Sequence, residues 1–348
     1  MQTKTRATAN VPMRWVGPMH ITGDVVNEAL SAPLATYESP LWPSTARGAK
    51  VSMACDGIAV AIPRDVMTRS ILLEAPSGSE AARCALAIMD DQTALAEVVA
   101  STTRYGRLQD LNWQIVGSLL FLRIGMQTGD AAGHNMVTAA ADAAMTWLLE
   151  RYPTLTYVSI SGNYCTDKKA SAVNGILGRG KYVIADMLVP ADVCSTLLRT
   201  TPAAIAKLNT AKNLVGTSLA GGIRSANAHV ANMLLALYLA TGQDGANIIE
   251  GSQAFTFAEV REGDLYFSVT LPNVIVGTVG NGKELEFVRA NLERLGCLVE
   301  RTPGQNAQRL AAVAGAVVLC GELSLLAAQT NPGELMQAHR RLERKRDA

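Results

Sequence analysis

Two runs near the middle of the chain alternate between apolar and polar positions. Leu111, Trp113 and Ile115 alternate with Asn112 and Gln114, and Leu120, Leu122, Ile124 and Met126 run against Phe121, Arg123 and Gln127. Gly117-Ser118 lies between the runs, so the pattern predicts a hairpin with one buried face. Upstream, PSGSE (76–80) predicts a turn and a helix starting at Ser79. Downstream, TGDAAGHN leads into MVTAAADAAMTWLLERY, a helical pattern that closes near Tyr152-Pro153. Residues 77–155 thus predict a compact α+β unit with an antiparallel sheet. Nothing resembling a linker flanks it. The expected organisation is a small domain (77–155) inserted into a larger one (1–76 and 156–348).

The larger part resumes with the strand pattern LTYVSI (155–160) and a helix starting near Lys169. It continues through strand 182–189, helix 226–240, strand 265–271, helix 283–296, an apolar helix 308–328 and the basic tail HRRLERKRDA. The longest apolar run, Leu310 to Gly321, is stopped by Glu322. That is short of the roughly 20 residues a bilayer span requires. The N-terminal MQTKTRATANVPMRW has no apolar signal core.

Composition narrows the function. With 31 basic and 30 acidic residues, neither a nucleic-acid groove nor a membrane-surface protein is expected. Charged residues make up 18% and apolar residues 49%, which points to surface hidden in an oligomer interface. Six cysteines without paired spacing read as reduced thiols in a cytoplasmic protein. Four scattered histidines, with no HxxxH or CxxC, argue against a metal site.

Several short stretches carry candidate chemistry. GILGRGKY (175–182) nearly matches a phosphate-binding loop, but Tyr182 replaces the required Ser or Thr. A helix also precedes it and a strand follows, the reverse of a P-loop. It reads as a helix end with a left-handed glycine. GTVGNG (277–282) reads as a turn. DAAGHN (130–135) lies between strand and helix, so its amides are candidates for a phosphate. An Asp cap on a plain helix accounts for it equally simply. Asp244 reads as an N-cap. Ser225, His229 and Asn232, spaced i, i+4, i+7 on the preceding helix, form a polar stripe that needs internal partners or a ligand. SGNYCTDKKASAVN (161–174) places Asp167, Lys168 and Lys169 on a loop between strand and helix. They are either a charged turn or a cation set to meet developing negative charge.

SGNYCTDKKASAVNGILGRGK closely resembles the signature of the 3-hydroxy-3-methylglutaryl-coenzyme A reductase family. PLATYESPLWPSTARGAKVS, MTRS, TGDAAGHNMV, NAHVANMLLALYLATGQD, SVTLPNVIVGTVGNG and GELSLLAA follow in family order. The resemblance spans roughly residues 33 to 339 and looks like the class I form. It implies an α+β fold, with a small ferredoxin-like cofactor domain inserted in a large substrate domain. It also implies reduction of the acyl thioester to mevalonate and free coenzyme A by two hydride transfers from NADPH, with NADH as the alternative. The expected partner beyond the substrate is a second copy of the chain, as a homodimer or homotetramer with a shared active site.

By the same resemblance Lys168 faces the developing oxyanion, Glu38 donates a proton, Asp244 links Lys168 to Glu38, and His339 protonates the leaving thiolate. Arg69, Ser161, Asn163, Asp167, Lys169, Asn232, Ser44 and Arg47 are implied on the substrate side. Arg104, Tyr105, Asp130, Gly133, Asn135, Met136, Gly277 and Thr278 are implied on the cofactor side. The basic tail residues Arg340, Arg341, Arg344, Lys345 and Arg346 are candidates for a 2′-phosphate. The chain departs from the family pattern in places. VPMRWVGPMHITG replaces an N-terminal Glu-Asn-Val-Ile-Gly motif, His134 replaces a Met, and Thr138-Ala139-Ala140 replaces Ser-Lys-Gly. One residue is inserted before His339, and Arg340-Arg341-Leu342-Glu343 replaces His-Asn-Arg-Ser. The alternatives are a non-catalytic acyl-coenzyme A binding protein and a reductase of a related branched acyl thioester.

Overall fold

A computed structural model describes residues 9–342, with only the backbone described for Ala338, His339, Arg341 and Leu342. Its organising element is the 17-residue strand β3 (Ile58–Glu74). Ala59–Val66 pair with β7 (Gly180–Val189), whereas Met67–Glu74 pair with β5 (Leu119–Gln127). One strand therefore belongs to two sheets.

The first sheet has the order β2-β1-β3-β7-β9-β8, with β1 (Met13–Thr22), β2 (Glu28–Ala35), β8 (Phe255–Arg261) and β9 (Asp264–Val274) completing it. Only the β1–β3 pairing is parallel. Its core gathers helix α1 (Leu41–Ala54), the helix Val230–Ala240 and the central helix Gln305–Gln329. At Gly48 a Cβ would overlap the backbone of Cys320, so α1 and the central helix meet backbone to backbone.

The second sheet runs β6-β3-β5-β4, entirely antiparallel, with β4 (Arg107–Val116) and β6 (Thr156–Ser159) at its edges. Helices α2 (Gly78–Asp90) and α3 (Gln92–Ser101) lie between β3 and β4, and α4 (His134–Arg151) between β5 and β6. The resulting β-α-β-β-α-β order is ferredoxin-like. Ile71, Leu73, Leu120, Leu122, Ile124 and Met126 bury one sheet face against Ala81, Ala85, Ala140, Ala144 and Leu148. Alanines on α4 let the helix lie close to the sheet.

The structure corrects several sequence expectations. The polar face of the hairpin is covered in part, because Arg123 is fully buried while Gln114 and Gln127 stay exposed. The helix expected near Lys169 is α5 (Ala172–Leu177), capped by Ser171, whose Oγ accepts from Asn174 N. The helix expected from residue 226 begins at Val230, so Ser225 and His229 do not share a helical stripe with Asn232. Glu322 ends the apolar run, but the expected helix 308–328 does run through it. Glu322 is buried and accepts from Ala228 N (2.8 Å), His229 N (2.6 Å) and Thr256 Oγ1 (2.8 Å). Three donors replace its lost water, so the helix continues to Gln329. That helix is long and apolar enough for a membrane span, yet 94% of its most apolar window is buried inside the protein.

A Gly48→Val substitution should destabilise the fold by about 2 kcal/mol or more through overpacking of the α1 crossing. A lower urea midpoint at unchanged slope is the expected signature.

Candidate active site

The chain from Ser161 to Ser171 leaves the edge strand β6 and enters α5. Asn163, Thr166 and Lys168 adopt left-handed φ values of 57°, 42° and 55°. For Thr, a β-branched residue, this is a strained conformation. Several outside contacts hold the loop there. Gly162 N donates to Ser70 O (3.0 Å), Asn174 Nδ2 donates to Thr166 O (2.9 Å), and Lys168 N donates to Glu250 Oε1 (3.2 Å).

Glu250 and Arg179 form the buried anchor of this arrangement, at 0% and 1% exposure. Arg179 reaches Glu250 Oε1 through Nη1 and Asp167 Oδ1 through Nη2, each at 2.9 Å. Asn247 Nδ2 also donates to Glu250 Oε1 (2.9 Å). Burial pushes the Glu250 carboxyl pKa up, which makes these donors necessary to keep it charged.

Lys168 Nζ sits 2.6 Å from Asp244 Oδ2. The hydrogen bond to Asp244 raises the lysine pKa. For Asp244 partial burial pushes upward, but the bonds from Lys168 and Ala246 N outweigh it and the pKa falls. Asp244 makes two contacts at once. It caps the short turn Gly245–Asn247, accepting from Ala246 N (3.0 Å), and it pairs with Lys168.

A cavity of about 560 Å³ collects Arg69, Gly133, Asn135, Met136, Asp167, Lys168 and Asp244. His134, Gln243 and Lys283 line it as well. Arg69 Nε is buried without a hydrogen-bond partner among the described residues. Burial lowers the Lys283 pKa to about 8. Burial, reinforced by Arg179, also lowers the His134 pKa.

The remaining expected residues lie elsewhere. Glu38, Ser44, Arg47 and Asn232 line a second cavity of about 670 Å³ that shares no lining residue with the first. There Asn232 Nδ2 donates to Glu38 Oε2 (2.9 Å). Within one chain, then, Asp244 meets Lys168 but does not link it to Glu38. Arg47 pairs with Glu334 (2.5 Å) and donates to the Ser324 oxygens. Arg104 and Tyr105 line a smaller cleft of about 210 Å³ beside Gly304.

Ser161, Asn163 and Lys169 line none of these three. Lys169 Nζ instead donates to Asp167 O (3.1 Å). His339 falls on the helix Glu334–Leu342, and its side chain lies outside the described residues, as do Arg344, Lys345 and Arg346 altogether.

DAAGHN does not carry the expected Asp cap. Asp130 does not cap α4. Its carboxylate accepts from Ala307 N (3.0 Å) in the first turn of the central helix. Helix α4 starts after Gly133 (φ 98°) with no side-chain cap, so its first amides are left for another partner. Gly277 and Thr278 are outside the cavity lining but brace it. Thr278 N donates to Asp130 O (2.8 Å), and a Cβ on Gly277 would overlap Ala132 N. Gln243 clamps the same turn, donating to Gly277 O (3.0 Å) and accepting from Gly277 N (2.9 Å).

Such a cavity offers cations and free amides for anionic ligands, with a lysine held charged at its centre. The family model for hydroxymethylglutaryl-coenzyme A reductase matches residues 4–344. The chain belongs to the hydroxymethylglutaryl-coenzyme A reductase family. It is 44% identical over 336 residues to the 3-hydroxy-3-methylglutaryl-coenzyme A reductase of Aeropyrum pernix, covering 96% of this chain and 79% of that one. The Pyrococcus abyssi enzyme of the same name is 43% identical over 337 residues, covering 96% and 82%. The fold resembles a class II 3-hydroxy-3-methylglutaryl-CoA reductase from Streptococcus pneumoniae solved with NADPH in open conformations. That likeness has a TM-score of 0.73 at 18% identity, over 95% of this chain and 78% of that one.

In this member of the family, sequence reasoning missed Arg179, Glu250, Gln243 and Lys283. Arg179 lay inside the stretch set aside as a failed phosphate loop. Glu250 sits in GANIIEG with no local signal beyond a lone acid between apolar residues and a glycine.

His134 makes acid stability diagnostic. Its folded pKa lies below the ordinary 6.5, so the unfolded chain binds the proton more readily. Its contribution is complete above 6.5 and is lost as pH falls below that value. His134→Met should therefore lose less melting temperature than the wild type between about pH 7 and about pH 5.5. Arg179→Met should cost about 3 kcal/mol or more in urea unfolding, because it strands the buried Glu250.

Proposed function

We propose that the protein reduces 3-hydroxy-3-methylglutaryl-coenzyme A to mevalonate and free coenzyme A, using NADPH. The observation that carries this reading is the Lys168–Asp244 pair at 2.6 Å, on a strained loop facing a cationic cavity. Each reduction step places negative charge on the substrate oxygen. An ammonium held charged by a carboxylate stabilises that charge without having to reorient.

The cavity residues fit a dinucleotide. The uncapped start of α4 and the small DAAG side chains accept an anionic group at close range. Gly133, Asn135 and Met136 would hold it, with Arg104 and Tyr105 available in the neighbouring cleft. When bound, the cofactor supplies the hydride. The protein's own residues hold charge and protons: Lys168 at the oxyanion, Asp244 keeping Lys168 protonated. We assign the unit built on residues 77–155, together with the second half of β3, as the cofactor domain. Lys169, Asp167, Ser161 and Asn163 would hold the acyl group, and Arg69 its free carboxylate. Ser44 and Arg47 would face the coenzyme A moiety. His339 would protonate the departing thiolate.

Glu38 lies in the second cavity, apart from Lys168. We read this as a site completed by a second copy, so that Glu38 and Asn232 of one protomer serve Lys168 of its partner. The six cysteines are free, which suits the reducing cytoplasm as the place of action.

Loss of reduced-nicotinamide absorbance with the acyl thioester tests the reaction, and a kcat/KM favouring NADH would overturn the cofactor assignment. Lys168→Met should lower reduction of both thioester and aldehyde by about 3–4 kcal/mol of barrier. Normal aldehyde turnover would defeat the shared role. His339→Gln should slow the thioester while sparing the aldehyde. Glu38→Gln and Lys168→Met, each inactive alone, should regain about a quarter of wild-type activity when their subunits are mixed and reassembled. No recovery would place both groups in a single-chain site.

A further inference from the structure

Arg123 is an unusual residue for the middle of a sheet. It lies on β5 with no exposed surface. Its register partner is Ser70 on β3, and both point away from the apolar core formed by Leu120, Leu122 and Ile124. Nη2 donates to Gly178 O at 2.6 Å. Nε and Nη1 are buried and have no hydrogen-bond partner among the described residues. Burying a guanidinium with unpaired N–H groups is destabilising, and an apolar side chain of similar size there is commonly neutral or better for stability. Stability alone therefore does not account for an arginine here.

What covers Arg123 is the segment that carries Lys168. Gly178 directly precedes Arg179, whose guanidinium holds Asp167 and Glu250. Glu250 in turn accepts from the Lys168 amide. On the same sheet face, Tyr164 Oη donates to Asn112 Oδ1 (2.5 Å), and Gly162 N donates to Ser70 O (3.0 Å). The loop thus touches the smaller sheet at three points, and only Arg123 does so with a buried charge.

We propose that Arg123 is a positioning residue for Lys168. By fixing the Gly178 carbonyl it sets Arg179, and through Arg179 it holds the strained loop at which Lys168 meets Asp244. The smaller sheet and the lysine then move as one body. This rests on Lys168 being the cation of the proposed reaction, but the arrangement has a consequence that needs no turnover. The Lys168 pKa is raised by its bond to Asp244. A loop released from Gly178 loses that bond, and the pKa falls towards the ordinary lysine value.

The test is the titration of Lys168 in the full-length protein, followed by ¹³C NMR with ε-labelled lysine and assigned by the signal missing in Lys168→Met. Arg123→Met should lower the Lys168 pKa. Leu122→Ala, which disturbs the apolar side of the same strand, should leave it in place. Arg123→Lys can still reach a carbonyl and should restore part of the shift. In turnover, Arg123→Met should lower kcat about tenfold while leaving KM for NADPH within about threefold. An unchanged Lys168 pKa in Arg123→Met overturns the proposal, as does an equal fall in Leu122→Ala. If Arg123→Met does not fold, Arg123→Lys decides by the same reading: a Lys168 pKa below that of the wild type supports the proposal and an unchanged one overturns it. A wild type that fails to oxidise NADPH counts against the proposed reaction only, and the titration still decides the role of Arg123.

Discussion

The site depends on one buried guanidinium. Arg179 lies between Asp167 and Glu250 at 2.9 Å from each, with almost no exposure. A charge so placed is tolerated only when its partners are fixed, because each ion has given up its water. That requirement works in both directions. Glu250 needs Arg179, Asn247 and the Lys168 amide, and the loop needs Glu250 to stay in left-handed backbone at Lys168. The strain of the loop is thus held by a buried ionic cluster beneath it. The exposed end of the arrangement, Lys168 with Asp244, stands 40% and 42% open to solvent, where a substrate can reach it.

Two long elements keep the distant parts in register. Strand β3 contributes Arg69 to the cavity and is shared by both sheets, so the smaller unit cannot shift without disturbing the larger. The central helix, 25 residues long, spans about 37 Å. Its first turn receives the Asp130 carboxylate, its middle carries Glu322, and its last turns present Ser324 to Arg47. It therefore braces the DAAGHN turn, the segment before Val230 and the second cavity together. Its apolar length serves burial among other helices and strands.

The first main cavity is net cationic, whereas the second balances Arg47 and Arg199 against Glu38 and Glu334. The first gathers Arg69, Arg179, Lys168 and Lys283 against Asp167 and Asp244. The second holds Glu38 near Asn232, and Glu334 paired with Arg47. On the proposed reading, the lysine and the second proton-holding carboxylate lie in different cavities of one chain. Assembly with a second copy, as proposed above, would bring them together.

The sequence by itself determined the family, the hairpin of the smaller sheet and a minority of the residues that line the first cavity. Period-two alternation and turn residues are local signals, and a strand such as Leu120–Met126 announces its apolar face directly. The motif around Lys168 is long enough to be recognised whole. Where the local signal was ambiguous, tertiary structure decided. Asp130 could cap α4 by spacing, but the central helix, nearly two hundred residues away in sequence, takes its carboxylate. Glu322 marked the end of an apolar run within the expected helix, and its burial rests on three donors from remote segments. Arg123 looked like the wet face of a hairpin, and only the loop folded over it makes that position an interior one. Arg179 and Glu250 became an anchor only once β7 and the turn after Asp244 were brought side by side. In each case a charged side chain carries no local mark of burial. Its partners, and hence its role, exist only after distant parts of the chain have met.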